Sequence, residues 1–221
     1  MATEHASATD PATADLPGEA RPLRIGDRAP LFSARSTRGP VELADYRGRW
    51  VVLFSHPADF TPVCTSEFIA LARLAPRFEQ IGCALLGLSV DSLYSHVAWM
   101  RAIRATFGVD VPFPVIEDPS MAIGRAYGMM DEGARDSSTV RASYFIDPEG
   151  IIRAMNWYPM SVGRSAEEML RLAAALKRVE AGDVFTPEGW VPGGPVLRPL
   201  SGEQGLFEPA ADWFCRTSEE S

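Results

Sequence analysis

Residues 50–68 read WVVLFSHPADFTPVCTSEF. The first six, Trp50 to Ser55, form a continuous apolar run closed by one small polar residue. That is the pattern of a strand buried inside a sheet. The end of the stretch opens a helix. Thr61 suits the N-cap and Pro62 the first helical position, where a missing N–H costs nothing. Phe68 then begins an apolar stripe continued by Leu71, Ala72, Ala75 and Phe78. Pro76 falls inside that stripe and is expected to kink or shorten the helix.

Outward from this stretch the alternation continues. Ala84 to Val90 is a second buried strand, and residues 92–107 form a helix ended by Gly108. Phe113 to Glu117 is a short third strand. Val140–Ile146 and Ile151–Tyr158 flank Asp147-Pro148-Glu149-Gly150, whose proline and glycine positions predict a hairpin. Ser165 and Glu168 form a capping box for a last helix with the stripe Met169, Leu172, Ala173, Leu176 and Val179, stopped by Gly182. Strand–helix alternation followed by a hairpin and a helix predicts an α/β fold, a mixed sheet flanked by helices. Among such folds the thioredoxin-like arrangement fits best.

The boundaries follow from composition. Residues 1–22 are rich in Ala, Thr, Pro and acids without apolar periodicity, and are expected to be a disordered extension. Residues 23–182 carry the thioredoxin-like domain. Residues 183–221 begin with DVFTPEGWVPGGPVLRPL, too rich in Pro and Gly to build a core, yet too apolar, with Phe185, Trp190 and Val191, for a free tail. This C-terminal arm is expected to pack on its own domain or on a second subunit.

A 221-residue chain with 46% hydrophobic and 23% charged residues is large enough for a core that needs no disulfides. A formal net charge of −8 argues against nucleic-acid and anionic-membrane partners. No apolar run approaches the roughly 18 residues of a membrane span. The first 20 residues hold four acids and no Lys or Arg, unlike a secretory signal or a mitochondrial transit peptide. Cys64, Cys83 and Cys215 are an odd, scattered set, which suggests a reducing compartment, the cytoplasm, rather than a disulfide framework. With only three His and no close Cys/His cluster, no metal site is expected.

Numbering from Thr61 puts Cys64 in the first helical turn, among unpaired backbone N–H groups that favour thiolate over thiol. A dithiol oxidoreductase would place a second cysteine three residues on, where this chain has Glu67. A carboxylate there opposes a thiolate unless a cation compensates. A cysteine hydrolase would need a histidine base, and spacing leaves His56 and His96 open for that role. The remaining chemistry is a thiolate attacking a peroxide to give a sulfenic acid.

These residues carry a resemblance. Pro57, Thr61 and Cys64 match the Pro-X-X-X-Thr-X-X-Cys signature of peroxiredoxins, and SHPADFTPVCTSEF is similar to the phrase of the one-cysteine-type and archaeal-type subfamily. VRASYFIDPEG supplies the family arginine as Arg141, and YPMSVGRSAEEMLR a second as Arg164. The resemblance spans about residues 23–216. It implies that Cys64 attacks the peroxide, Thr61 orients it, Pro57 shields the sulfur, Arg141 balances the charge and contacts substrate oxygens, and Glu67 anchors arginine. Arg164 and His56 are expected to border the substrate.

Cys83 opens a predicted strand and reads as buried and inert. Cys215 closes the phrase DWFC, which resembles the C-terminal phrase of archaeal-type members, whose last cysteine resolves the sulfenic acid of another subunit. The further cysteine such members carry six residues earlier is Pro209 here. The resemblance thus implies an interchain disulfide between Cys215 and Cys64, with a one-cysteine cycle as the alternative. It also implies hydrogen peroxide or alkyl hydroperoxide as substrate and a thioredoxin-like or small thiol as reductant. It implies a homodimer, with decameric rings in some relatives, and no cofactor. A redox-regulated chaperone or peroxide sensor is the competing function.

Overall fold

The computed structural model describes residues 21–130, 136–199 and 215–218. Seven strands form one mixed sheet in the order β2-β1-β5-β4-β3-β6-β7. Their bounds are β1 Ser33–Ser36, β2 Gly39–Glu42, β3 Trp50–Ser55, β4 Cys83–Ser89, β5 Val115–Glu117, β6 Arg141–Ile146 and β7 Ile152–Tyr158. β3, β4 and β5 run parallel, joined by the crossovers α1 (Pro62–Gln80) and α2 (Leu93–Phe107). β6 and β7 are the expected hairpin, antiparallel to β3 and to each other. Two further helices follow β5 and β7, α3 (Ala122–Ala126) and α4 (Ala166–Arg178).

The apolar run of β3 serves both faces by strict alternation. Val52 and Phe54 pack with Phe68 and Leu71 of α1, Trp99 of α2, and Met169 and Ala173 of α4. Val51 and Leu53 pack on the opposite face with Leu43, Ile123, Tyr127 and Ile152. The chain therefore leaves β3 in the middle of the sheet and enters α1 directly over the larger core.

Several local signals behave as expected. Gly108 caps α2 in the left-handed conformation (φ 67°), and Ser92 caps its start by accepting from Ser95 N. Gly150 closes the hairpin at φ 75°, with its N–H donated to Asp147 O at 2.9 Å. A Cβ at Gly150 would also collide with the guanidinium of Arg47, so the turn needs glycine twice over.

Two expectations need correction, and three short elements went unpredicted. α1 is not shortened at Pro76 but runs on to Gln80; Phe78, 1% exposed, anchors the turn beyond the proline. Ser165 Oγ accepts from Glu168 N at 3.1 Å, but the Glu168 carboxylate turns to Arg171, so only half of the capping box forms. The short strands β1 and β2 and the five-residue α3 carry too little periodicity to be predicted.

The first part of the C-terminal arm packs on its own chain. Val184, Trp190 and Val196 form a small cluster with Ala174 and Ala175 of α4. Trp190 Nε1 donates to Gly194 O at 3.1 Å, and Arg171 Nη1 donates to Trp190 O at 3.0 Å. β8 (Val196–Leu197) pairs with β9 (Thr217–Ser218). The expected disordered extension lies outside the described residues apart from Arg21 and Pro22, and Asp212, Trp213 and Phe214 lie outside them as well. Among the described residues no helix is long and apolar enough to cross a membrane.

Candidate active site

α1 begins where the sequence predicts. Thr61 is its N-cap with extended backbone (φ −92°, ψ 149°), and Pro62 takes the first position. Thr61 O accepts from Thr65 N at 2.9 Å, the first bond of the helix. The Thr61 hydroxyl does not cap, however; it donates to Ala58 O at 2.9 Å. With its proton committed, Oγ1 offers lone pairs as acceptors. The N–H groups of the first turn, where Cys64 sits, receive no acceptor from the cap side chain.

Cys64 is fully buried, and the group around it is assembled from distant parts of the chain. Arg141, the first residue of β6, points Nη1 at Cys64 Sγ (3.3 Å) and at Glu67 Oε2 (2.7 Å). Its Nε and Nη2 donate to Met160 O at 3.0 and 2.8 Å. Of the five N–H bonds of this guanidinium, one on Nη2 has no acceptor among the described residues.

Arg164 lies behind Glu67. Its backbone N and Nε donate to Glu67 Oε1 at 2.7 and 2.9 Å, and Nη2 donates to Oε2 at 3.0 Å. Nη1 reaches Ala142 O and Ser143 Oγ, and Nη2 also reaches Ser55 O. All five N–H bonds are committed to protein acceptors. Arg164 therefore meets the Cys64 group through Glu67.

Glu67 joins the two arginines. It is 4% exposed, and burial by itself opposes its charge. The hydrogen bonds and charge of Arg164, with the charge of Arg141 behind them, outweigh burial and hold its carboxyl below the usual range. The cation that Glu67 requires beside a thiolate is thus present twice.

Pro57 is buried at the end of β3. His56 is also buried, but its Nε2 is taken by Asp59 Oδ1 at 2.9 Å, and its ring lies 4.8 Å from that of Phe68 and 5.3 Å from that of Trp99. It makes no hydrogen bond to the Cys64 group. Burial lowers its pKa despite Asp59. His56, Asp59 and His96 form a buried cluster that the sequence did not announce, although two of the three histidines in the chain meet there. The contribution of Met160 is a backbone carbonyl, which leaves no mark in the sequence.

Cys83 is buried and its thiol is pushed up to about 12, chiefly by burial. Cys215 is exposed, and all three thiols are free. At pH 8 only about one Cys83 in 10⁴ is thiolate. Iodoacetamide mapping by mass spectrometry should therefore find Cys215 alkylated in the native protein and Cys83 only after denaturation.

Comparison with known proteins bears directly on this arrangement. Residues 25–155, more than half of the chain, match the model of the AhpC/TSA family. "Peroxiredoxin 2" of Caldanaerobacter subterraneus subsp. tengcongensis is 49% identical over 176 residues, covering 80% of each chain. The chain belongs to the AhpC/TSA family and is a peroxiredoxin. The peroxiredoxin of Aquifex aeolicus is 48% identical over 170 residues, covering 76% of this chain and 77% of that protein. Among solved structures, a yeast mitochondrial 1-Cys peroxiredoxin superposes with TM-score 0.74 at 41% identity, covering 80% of this chain and 87% of the other. Peroxiredoxin 6 of Arenicola marina, as a cysteine-to-serine mutant, gives 0.75 at 34% identity over 83% and 87%. The sheet and helices of this peroxiredoxin are thus the thioredoxin-like fold expected from its strand–helix order, and its activity is that of a thiol peroxidase.

Proposed function

We propose that Cys64 is the peroxide-reacting thiol of this peroxiredoxin and that Arg141, Thr61 and Glu67 shape its reaction. The observation that carries this reading is the Arg141 guanidinium, which donates at once to Cys64 Sγ and Glu67 Oε2 in a fully buried site. The thiolate attacks one peroxide oxygen as the O–O bond breaks. Sulfur becomes a sulfenic acid, and the other oxygen takes up the proton released when the thiol ionised and leaves as water or alcohol. Arg141 turns its spare Nη2 hydrogen to the oxygen on which charge develops. Thr61 Oγ1 accepts from the peroxide O–H, and Pro57 keeps water from the sulfur.

The electrons returning the sulfenic acid to thiolate come from thiols. Cys215, exposed and free, supports resolution by an interchain disulfide with Cys64 of a second copy, followed by reduction by a thioredoxin-like or small thiol. The yeast neighbour concerns thiol resolution via glutathione/thioredoxin systems. A homodimer, or a ring of dimers, is supported by the edge strand β7, with exposed Trp157 on it and Met160 and Val162 just beyond, and by exposed Phe60 and Phe107. Three free thiols suit work in the reducing cytoplasm.

Stopped-flow mixing with hydrogen peroxide under excess dithiol tests the reaction. Rapid, repeated peroxide loss is expected; slow oxidation accompanied by a change in oligomer size would instead make the protein a sensor or chaperone. Non-reducing electrophoresis after one equivalent of peroxide tests Cys215. A covalent dimer is expected for the wild type and should be lost in Cys215→Ser. A wild type that stays monomeric would point to a one-cysteine cycle.

A further inference from the structure

The loop from His56 to Thr61 holds Pro57 and Thr61, the residues proposed above to serve the peroxide, and its backbone is strained. Phe60 has φ 57°, the left-handed region that a bulky residue rarely adopts. Its side chain is 59% exposed in the single chain, so packing of that ring within its own chain does not hold the conformation. Strain of this kind persists only where the surroundings over-determine it. The residues on either side of Phe60 supply that determination.

Asp59 is 8% exposed, and its carboxylate accepts from His56 Nε2 at 2.9 Å and from His96 Nδ1 at 2.8 Å. Its backbone N donates to Asp91 Oδ2 at 2.8 Å. His96 is fully buried on α2, with Nε2 3.3 Å from Ile116 O of β5. One helical turn further along α2, Trp99 Nε1 donates to Thr65 Oγ1 at 3.2 Å. Thr65 Oγ1 in turn donates to Thr61 O at 2.7 Å. His96 and Trp99, three residues apart, lie on one face of α2. They grip the chain on both sides of Phe60, one at Asp59 and the other through Thr65 at Thr61.

We infer that Asp59 and His96 are positioning residues of the peroxidase reaction: their buried hydrogen bond braces the loop against α2 and so sets Thr61 and Pro57 relative to Cys64. The inference rests on Cys64 being the peroxide-reacting thiol. The cluster also has the residue types of a metal site. Its 2.8–2.9 Å contacts, however, are hydrogen bonds that already satisfy the carboxylate from two sides. Both histidines together outweigh burial and hold Asp59 well below the usual carboxylate range.

The test compares two reagents at one sulfur. Oxidation of Cys64 by hydrogen peroxide and its alkylation by iodoacetamide are followed residue by residue by mass spectrometry in wild type, Asp59→Asn, His96→Asn and the double variant. A displaced loop misplaces only the groups that serve the peroxide, and a shift of about 1 Å costs about 10²-fold in rate. The peroxide rate is expected to fall about 10- to 100-fold in each single variant, while iodoacetamide alkylation stays unchanged or quickens. Because the two residues act through one contact, the double variant should be no slower than the slower single. Wild-type peroxide rates in the single variants, equal losses with both reagents, or losses that multiply in the double variant would overturn the inference. Tight binding of one equivalent of zinc by the wild type would overturn it as well, making the cluster a metal site. If Cys64 is not the peroxide-reacting thiol, the wild type itself shows no peroxide oxidation there, a result distinct from all of these.

Discussion

Cys64→Ser is expected to lower peroxide turnover on the order of 10³-fold or more, the scale of losing a nucleophile, while the melting temperature stays close to that of the wild type. The hydroxyl is smaller than the thiol and is not ionised near neutral pH, so no anionic nucleophile faces Arg141. The fold keeps its framework because Glu67 still holds both guanidiniums, Arg141 through Nη1 and Arg164 through Nε and Nη2. Stopped-flow peroxide consumption and a thermal melt on the same sample check both halves of the expectation. Turnover within tenfold of wild type would assign the chemistry to another thiol, and exposed Cys215 is the one to examine.

The second large effect is on stability. Glu67→Gln leaves two buried guanidiniums without their anion, since Arg141 and Arg164 are 2% and 7% exposed and meet at this carboxylate. Removing one partner of such a buried group costs about 3–5 kcal/mol. For a chain of this size that lowers Tm by roughly 10 °C. The loss should depend on pH with a definite sign. In the folded chain the Glu67 carboxyl lies below its ordinary value of 4.5, because the Arg164 hydrogen bonds and charge outweigh burial. Its contribution is therefore complete above about pH 4.5 and is lost as pH falls through the lower folded value. Denaturation of wild type and variant at a series of pH values should show the largest gap near neutrality and a narrowing gap in acid. A constant gap would mean that the charge of Glu67 is not what stabilises the group.

How far the sequence reached depended on the range of the interactions. The bounds of β3, the cap at Thr61, the stop at Gly108 and the Asp147–Gly150 turn are decided within a few residues, and each was readable there. The partners of Glu67 are 74 and 97 residues away, so its spacing said only that the acid needed a cation, and it took the family resemblance to name arginine. Arg164 was expected to border the substrate, but its five N–H bonds are spent on Glu67 and on β3 and β6, a saturation visible only in three dimensions. The direction of the Thr61 hydroxyl was equally hidden, since a cap residue and a donor to Ala58 O are spelled by the same letter. Asp59 stood inside the quoted stretch with only His56 beside it, because its second partner, His96, arrives from the next crossover helix.

The arginine–glutamate–arginine group has one more consequence, which emerges when its charges are counted. Two guanidiniums against one carboxylate leave a surplus positive charge in a buried space beside Cys64 Sγ, which the proposed reaction would balance with the nucleophile's own negative charge. A disulfide at that sulfur carries no charge and would return the surplus to the buried group, whereas a sulfinate or sulfonate would keep an anion there. On the proposed chemistry the imbalance would favour the reduced sulfur over a disulfide, so that the same charges that assist attack on peroxide would also assist the thiol that restores the site.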